Sequence, residues 1–280
     1  MRTIEAGTVT DIVEKLCIEA NLYLNDDIRS ALVKASRIEE SETGRSILES
    51  LVKNAHIAAH EKMAICQDTG MAVIFAELGQ EVFITGGSLE EAINEGVRRG
   101  YKNGYLRNSV VADPIRRGNT GDNTPAIIHY ELKAGDKLVL HVAPKGFGSE
   151  NMSALKMLKP SDGVEGVKKA IIDTVSQAGA NPCPPIVVGV GIGGSMEKAA
   201  LLAKKALMRP IDQSHPDPYY KELEEELLRS INQLGIGPAG LGGRTTALGV
   251  NIETYPTHIA GLPVAVNISC HVTRHRSAEI

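Results

Sequence analysis

The sequence predicts a mixed α+β fold, an N-terminal helical lobe followed by mixed strands and helices. Three observations carry this. Residues 8–64 repeat apolar side chains at helical spacing. Residues 71–85 and 126–143 are apolar runs of strand length bounded by turn residues. From residue 163 onward, helical periods and strand runs both occur. The chain has 280 residues, 42% of them hydrophobic and 23% charged, enough to bury a substantial core. No repeat, low-complexity tract or linker interrupts it, so 1–280 reads as a single domain with 1–64 as the helical lobe. Strand order does not follow from the sequence.

In order, Val9, Ile12, Val13, Leu16 and Ala20 form a first helical stripe, and Ile28, Leu32, Ala35 and Ile38 a second. A third runs through Ile47, Leu48, Leu51, Val52, Ala55, Ala58 and Ala59. MAVIFAEL (71–78) and EVFIT (81–85) read as strands paired around Gly79-Gln80. Ser88 and Glu91 form a capping box that opens a helix toward Lys102. Residues 107–125 are rich in Gly, Asn, Asp and Pro and read as a long ordered loop. IIHYELK and KLVLHVA read as a hairpin about Ala134-Gly135-Asp136, followed by a second loop, Pro144 to Asn151. Residues 163–179, 195–208 and 218–234 read as helices, and IVVGVGIGG (186–194) as a buried strand ending in a glycine turn. ALGVNIETYP and LPVAVNISCHV read as strands. The glycines at 189, 191, 193 and 194 miss the dinucleotide-binding spacing, and Glu222–Glu226 reads as a solvated helix face.

No apolar run reaches the length of a membrane span. MRTIEAGTVTDIVEKL lacks the apolar core of a signal peptide, and its acidic residues argue against a transit peptide; a cytoplasmic location is expected. A net charge of −4, 4% aromatics and no Trp give no pull toward nucleic acid.

Of four cysteines, Cys17 follows Val13 at helical spacing and reads as a packing residue. Cys66, in AICQDTG, Cys183, in GANPCPPI, and Cys270, in NISCHVTRH, lie in polar or Pro/Gly-rich segments or at a strand end. They are far apart, unlike the close ligand pairs of a zinc site or the local run of a ferredoxin. Their spacing leaves two readings open: three buried cysteines, or three thiolates brought together by the fold.

ICQDTG (65–70), RNSVVADPIRRGNTGDNTPAIIHYEL (107–132), KGFGSEN (145–151), NPCPP (181–185) and HIAGLPVAVNISCHVTRH (258–275) together resemble the alpha subunits of class I fumarate hydratases, the iron–sulfur hydro-lyases, and of the related tartrate dehydratases. The resemblance covers nearly the whole chain. It departs at Phe147, where the family typically has a third glycine and a side chain would narrow the loop. The resemblance implies a [4Fe–4S] cluster held by Cys66, Cys183 and Cys270, with one iron left open to act as a Lewis acid. It implies catalytic roles for Asp68 and His258. Alone, Asp68 reads equally as a turn former in Asp-Thr-Gly, and His258 competes with His129, His141, His271 and His275; His271, beside Cys270, would act behind the ligand. It implies substrate binding by Gln67 and Arg107, with Arg116 and Arg117 as fallback, and by Gly148 and Asn151. A guanidinium binds a carboxylate bidentately, as a C4 dicarboxylate requires.

The expected activity is reversible hydration of fumarate to (S)-malate, with L-tartrate dehydration as the alternative and a non-catalytic iron–sulfur protein as the remote one. Single-chain relatives carry a second domain that this chain lacks. A separate beta subunit is therefore expected to complete the active site and supply the proton-abstracting group, in a heterotetramer.

Overall fold

A computed structural model describes residues 2–280. Its first elements are β1 (Arg2–Glu5), α1 (Ala6–Leu22), α2 (Asp26–Ile38), α3 (Glu42–Glu61), β2 (Met71–Gly79), β3 (Val82–Thr85), α4 (Leu89–Asn103), β4 (Ile127–Lys133) and β5 (Leu138–Lys145). There follow α5 (Phe147–Glu150), β6 (Ala154–Leu158), α6 (Gly163–Ala178), β7 (Ile186–Gly193), α7 (Met196–Ala206), α8 (Pro218–Asn232), β8 (Ala247–Tyr255), β9 (Leu262–Ser269) and β10 (Arg276–Glu279). The fold is mixed α+β, as the sequence predicts. The chain divides into two compact units, one of Met1–Leu24, Ala55–Phe147 and Arg274–Ile280, the other of Asn25–Asn54 and Gly148–Thr273. The N-terminal helices are thus shared between the units.

The first unit is built on the sheet β10-β5-β2-β4. β2 runs antiparallel to β5 and parallel to β4. This corrects two expected pairings. β4 and β5 do not form a hairpin but flank β2, and β3 pairs with β1, in parallel, rather than with β2. The reason lies in burial. Ala72 to Ala76 are buried throughout, and such a strand needs a neighbour on both sides. β4, whose Tyr130 and Leu132 are exposed, takes the edge. Gly79 makes the arrangement possible, because a Cβ there would stand 2.4 Å from the Gly135 carbonyl oxygen. Helix α4 starts where the capping box predicts, with Ser88 Oγ accepting from the Glu91 amide at 3.1 Å. It lies close to α1 through glycines: a Cβ at Gly96 would meet Val13 Cβ at 2.6 Å, and one at Gly100 would meet Cys17 Cβ at 2.8 Å. Val9, Val13, Leu16, Ile93, Val97 and the inward side chains of β2 and β5 form the core.

The second unit is built on the sheet β6-β9-β7-β8. β7 is parallel to β8 and antiparallel to β9. It is buried along its whole length and its two faces differ. Val188, Val190 and Ile192 join Ile171 and Val175 of α6 and Leu227 and Ile231 of α8 in one core. Gly189 and Gly191 face α7, where a Cβ would lie about 2 Å from the carbonyls of Ala203 and Ala199. Gly193 and Gly194, at positive φ, make the expected turn.

Glu224 departs from the solvated face expected of its run. It is buried, pairs with Arg209, and accepts from the Ile252 amide at 2.7 Å. A second buried carboxylate, Glu39, accepts from the amides of Ser41, Arg244 and Thr245. Burial works to raise its pKa, but these amides outweigh that and lower it.

Candidate active site

In the first unit the segment 65–70 connects α3 to β2, and several of its polar groups are held by hydrogen bonds. The Ile65 amide donates to the Asn21 carbonyl at 3.0 Å. Tyr101 donates its phenol to the carbonyls of Thr69 and Gly70, at 2.8 and 2.9 Å. Burial pushes that phenol far above its ordinary pKa, so it remains a neutral donor. Asn123 Nδ2 also reaches the Gly70 carbonyl, at 3.2 Å, while Asn123 Oδ1 accepts from the amides of Ser109 and Val110. The long loop 107–125 is therefore tied to the segment. Beside Asn123, the Asp122 carboxyl is held down at about 2: burial raises it, but hydrogen bonds from Thr124 and Arg98 outweigh burial.

This network brings predicted residues together. Arg107 Nη1 donates to Gln67 Oε1 at 2.8 Å, and the Arg107 amide donates to Thr69 Oγ1 at 2.9 Å. With its oxygen occupied, the Gln67 amide keeps its NH₂ as a donor. Asp68 does form the turn that Asp-Thr-Gly implies, Oδ1 accepting from the Gly70 amide at 3.1 Å. Its Oδ2 accepts from the Phe147 amide at 3.0 Å. The close approach explains two glycines. A Cβ at Gly146 would stand 3.0 Å from Asp68 Oδ2, and one at Gly70, itself at positive φ, would stand 2.7 Å from the Lys145 amide nitrogen. Phe147 is 49% exposed; its backbone does the work, and the departure from glycine leaves this contact intact. Arg116 is exposed and pairs locally with Asp113.

In the second unit Cys183 and Cys270 lie at the same end of the β7–β9 pair, where Val187 faces Ser269. His271 Nδ1 donates to the Cys183 carbonyl at 3.0 Å, which joins the two segments. Cys183 adopts a left-handed conformation, φ 56°, rarely taken by a non-glycine residue outside functional or constrained positions. Gly148 is close by: a Cβ there would stand 4.0 Å from the Asn181 carbonyl oxygen. Asn151 is exposed. His258 is not brought to this end. It lies in the exposed loop between β8 and β9, and the eight residues of β9 put roughly 23 Å between the strand's ends. Its Nδ1 accepts from the Ala260 amide at 3.1 Å, so the neutral ring carries its proton on Nε2.

The thiols divide by exposure. Cys17 is fully buried and burial pushes its thiol up to about 12. Cys183 is exposed, and Cys66 and Cys270 are partly so. A soft thiolate donor set from these three fits an iron–sulfur group, and Cys17 does not. Among the described residues no three His, Cys, Asp or Glu side chains are grouped as a metal site; Cys66 belongs to the first unit, Cys183 and Cys270 to the second. Sequence reasoning missed Thr69, Tyr101 and Asn123. Thr69, within ICQDTG, and Asn123, within a run dense in Asn, Asp and Gly, carried a local signal; Tyr101 did not.

These features are those of an iron–sulfur hydro-lyase. The chain belongs to the fumarate hydratase (Fumerase) family, which it matches over residues 10–279. It is 44% identical over 277 residues to a Methanocaldococcus jannaschii protein named "Putative L(+)-tartrate dehydratase subunit alpha", covering 97% of each chain. It is 34% identical over 275 residues to the L(+)-tartrate dehydratase subunit alpha of Escherichia coli strain UTI89, covering 97% of this chain and 90% of that one. The protein of that name from strain K12 is 34% identical over 269 residues, at 95% and 88%. No helix among the described residues is long and apolar enough to cross a membrane.

Proposed function

We propose that the chain is the alpha subunit of a hydro-lyase that interconverts fumarate and (S)-malate, its active site completed by a beta subunit in a heterotetramer. The observation that carries the reading is the hydrogen bond from Arg107 to Gln67, one residue from Cys66. It sets a guanidinium and an amide donor side by side, the donors that a carboxylate takes. Cys66, Cys183 and Cys270 would hold a [4Fe–4S] cluster, which when bound supplies Lewis-acid polarisation of the substrate hydroxyl. Arg107 binds one carboxylate through its remaining N–H groups, and Gln67 orients the substrate through its NH₂. Gly148 and Asn151 offer donors to the other carboxylate. Asp68, fixed through both oxygens, lines the site and serves proton transfer. His258 stands at the far end of β9 from Cys270 and is assigned no step among these groups. In the dehydration direction a proton leaves C3 to a base on the beta subunit, and the C2 hydroxyl takes up a proton passed by Asp68 and leaves as water.

The names of the relatives favour a second reading, dehydration of L-tartrate. Turnover of (S)-malate and L-tartrate by the assembled, cluster-loaded complex separates the two. Malate is expected to react with at least tenfold higher kcat/KM, and Arg107→Ala to cost about 10²-fold on either substrate, since charged hydrogen bonds contribute about 1.5–3 kcal/mol. A preference for tartrate gives the function to the second reading. Turnover of neither sinks both.

A further inference from the structure

We propose that Arg274 is a positioning residue of this site: it fixes the Asp68 peptide, and with it the directions of the Gln67 and Asp68 side chains. Its catalytic consequence rests on the function proposed above. Arg274 is 5% exposed, and Nη2 donates to the Asp68 carbonyl at 2.6 Å. Its Nε is buried without a hydrogen-bond partner, and among the described residues the guanidinium makes no ion pair.

A buried cation with an unused donor costs desolvation that a single carbonyl does not offset, and an apolar chain of similar length would relieve that cost. Stability therefore does not account for Arg274, whereas the place of its hydrogen bond does. The Asp68 carbonyl sits at the middle of segment 65–70. On one side is Gln67, held by Arg107. On the other are Thr69 and Gly70, held by Tyr101. The Asp68 side chain spans the amides of Gly70 and Phe147. Rotation of the Asp68 peptide would turn all of these groups, and Arg274 blocks it.

The test uses Arg274→Met and Arg274→Lys in the full chain. Amide hydrogen exchange on the chain alone reads positioning without any turnover: the Gly70 and Phe147 amides are expected to exchange at least tenfold faster in the Met variant. Unchanged exchange overturns the proposal whatever the enzyme's substrate. In the cluster-loaded complex with the beta subunit, Arg274→Met is expected to lower kcat more than tenfold. KM should stay within threefold, with iron content and Tm retained or Tm raised. Arg274→Lys, which keeps one donor, should recover part of kcat. Full kcat in the Met variant overturns the proposal. So does activity lost in proportion to iron and Tm in both variants, which would make Arg274 structural support. If Arg274→Met does not fold, Arg274→Lys decides: a threefold or greater kcat loss with full iron sustains the inference, and unchanged kcat ends it. Wild-type complex is run alongside, and its failure to turn over either substrate counts against the proposed function, not against the exchange result.

Discussion

Cys17 and Cys66 carry the same thiol into opposite surroundings. Cys17, on α1, is enclosed against Gly100 of α4. Desolvation, with Glu14 adding to it, holds it protonated up to about 12. In the cluster-free chain at pH 8, iodoacetamide is therefore expected to label Cys66, Cys183 and Cys270, and to label Cys17 only after denaturant is added; thiolate and access both govern the rate. Peptide mapping reads the result, and Cys17 labelling as fast as the other three would remove the distinction. The same shift gives a sign for stability. Above the ordinary thiol value of 9.0 the unfolded chain releases this proton and the folded chain retains it until about 12. The folded state binds more protons in that window, so the Cys17 contribution is present below pH 9 and falls as pH rises through it. Cys17→Ala should flatten the alkaline slope of stability relative to wild type.

At the scale of elements, the helices were legible and the strand pairings were not. Apolar periodicity located α1, α2 and α3, and Ser88 with Glu91 located the start of α4, because these signals are local. Pairing is decided by what must be covered. Once β2 is buried on both sides, the neighbouring runs have to take its two edges, and no turn motif between β4 and β5 could reveal that. β6 and β10 are too short to show a period, and residues 2–5 of β1 gain their strand only from β3. The glycines of β7 mark a buried strand and its turn in the sequence but not what covers them; in the sheet, Gly189 and Gly191 are the face on which α7 rests. A Cβ at Gly191 would lie 2.1 Å from the Ala199 carbonyl oxygen and 2.6 Å from the Ala203 nitrogen, both backbone atoms. Gly191→Ala is expected to cost about 1–3 kcal/mol or more in urea unfolding, since sheet and helix must separate. Gly7→Ala, in α1 with nothing within 4 Å, should be neutral or stabilising by up to ~1 kcal/mol. Equal effects at the two positions would contradict the packing described.

At the scale of the whole molecule, what the sequence alone could not provide was the scaffolding. The resemblance named Cys66, Cys183, Cys270, Gln67, Arg107 and Asp68. Among the groups that hold segment 65–70, Tyr101 and the Asn21 carbonyl lie in no motif, because a hydrogen bond that involves a backbone carbonyl constrains position more than sequence context. His258 and Cys270, twelve residues apart in sequence, stand at opposite ends of β9. The division of the cysteines, one in the first unit and two in the second, gives the last prediction. If all three hold one cluster, replacing any one by Ser should release iron and acid-labile sulfide from the anaerobically reconstituted protein, and should do so equally for Cys66 and for Cys183 or Cys270. With three thiolates on four irons, mild oxidation should expel one iron and give a three-iron EPR signal, reversed by ferrous iron and reductant. Because a ligand that binds only the folded state stabilises it, stripping the cluster should also lower Tm in the wild type and leave the Ser variants unchanged. A Cys66→Ser protein that keeps its full iron and resists oxidation would separate Cys66 from the metal and leave the site in the first unit without its cofactor.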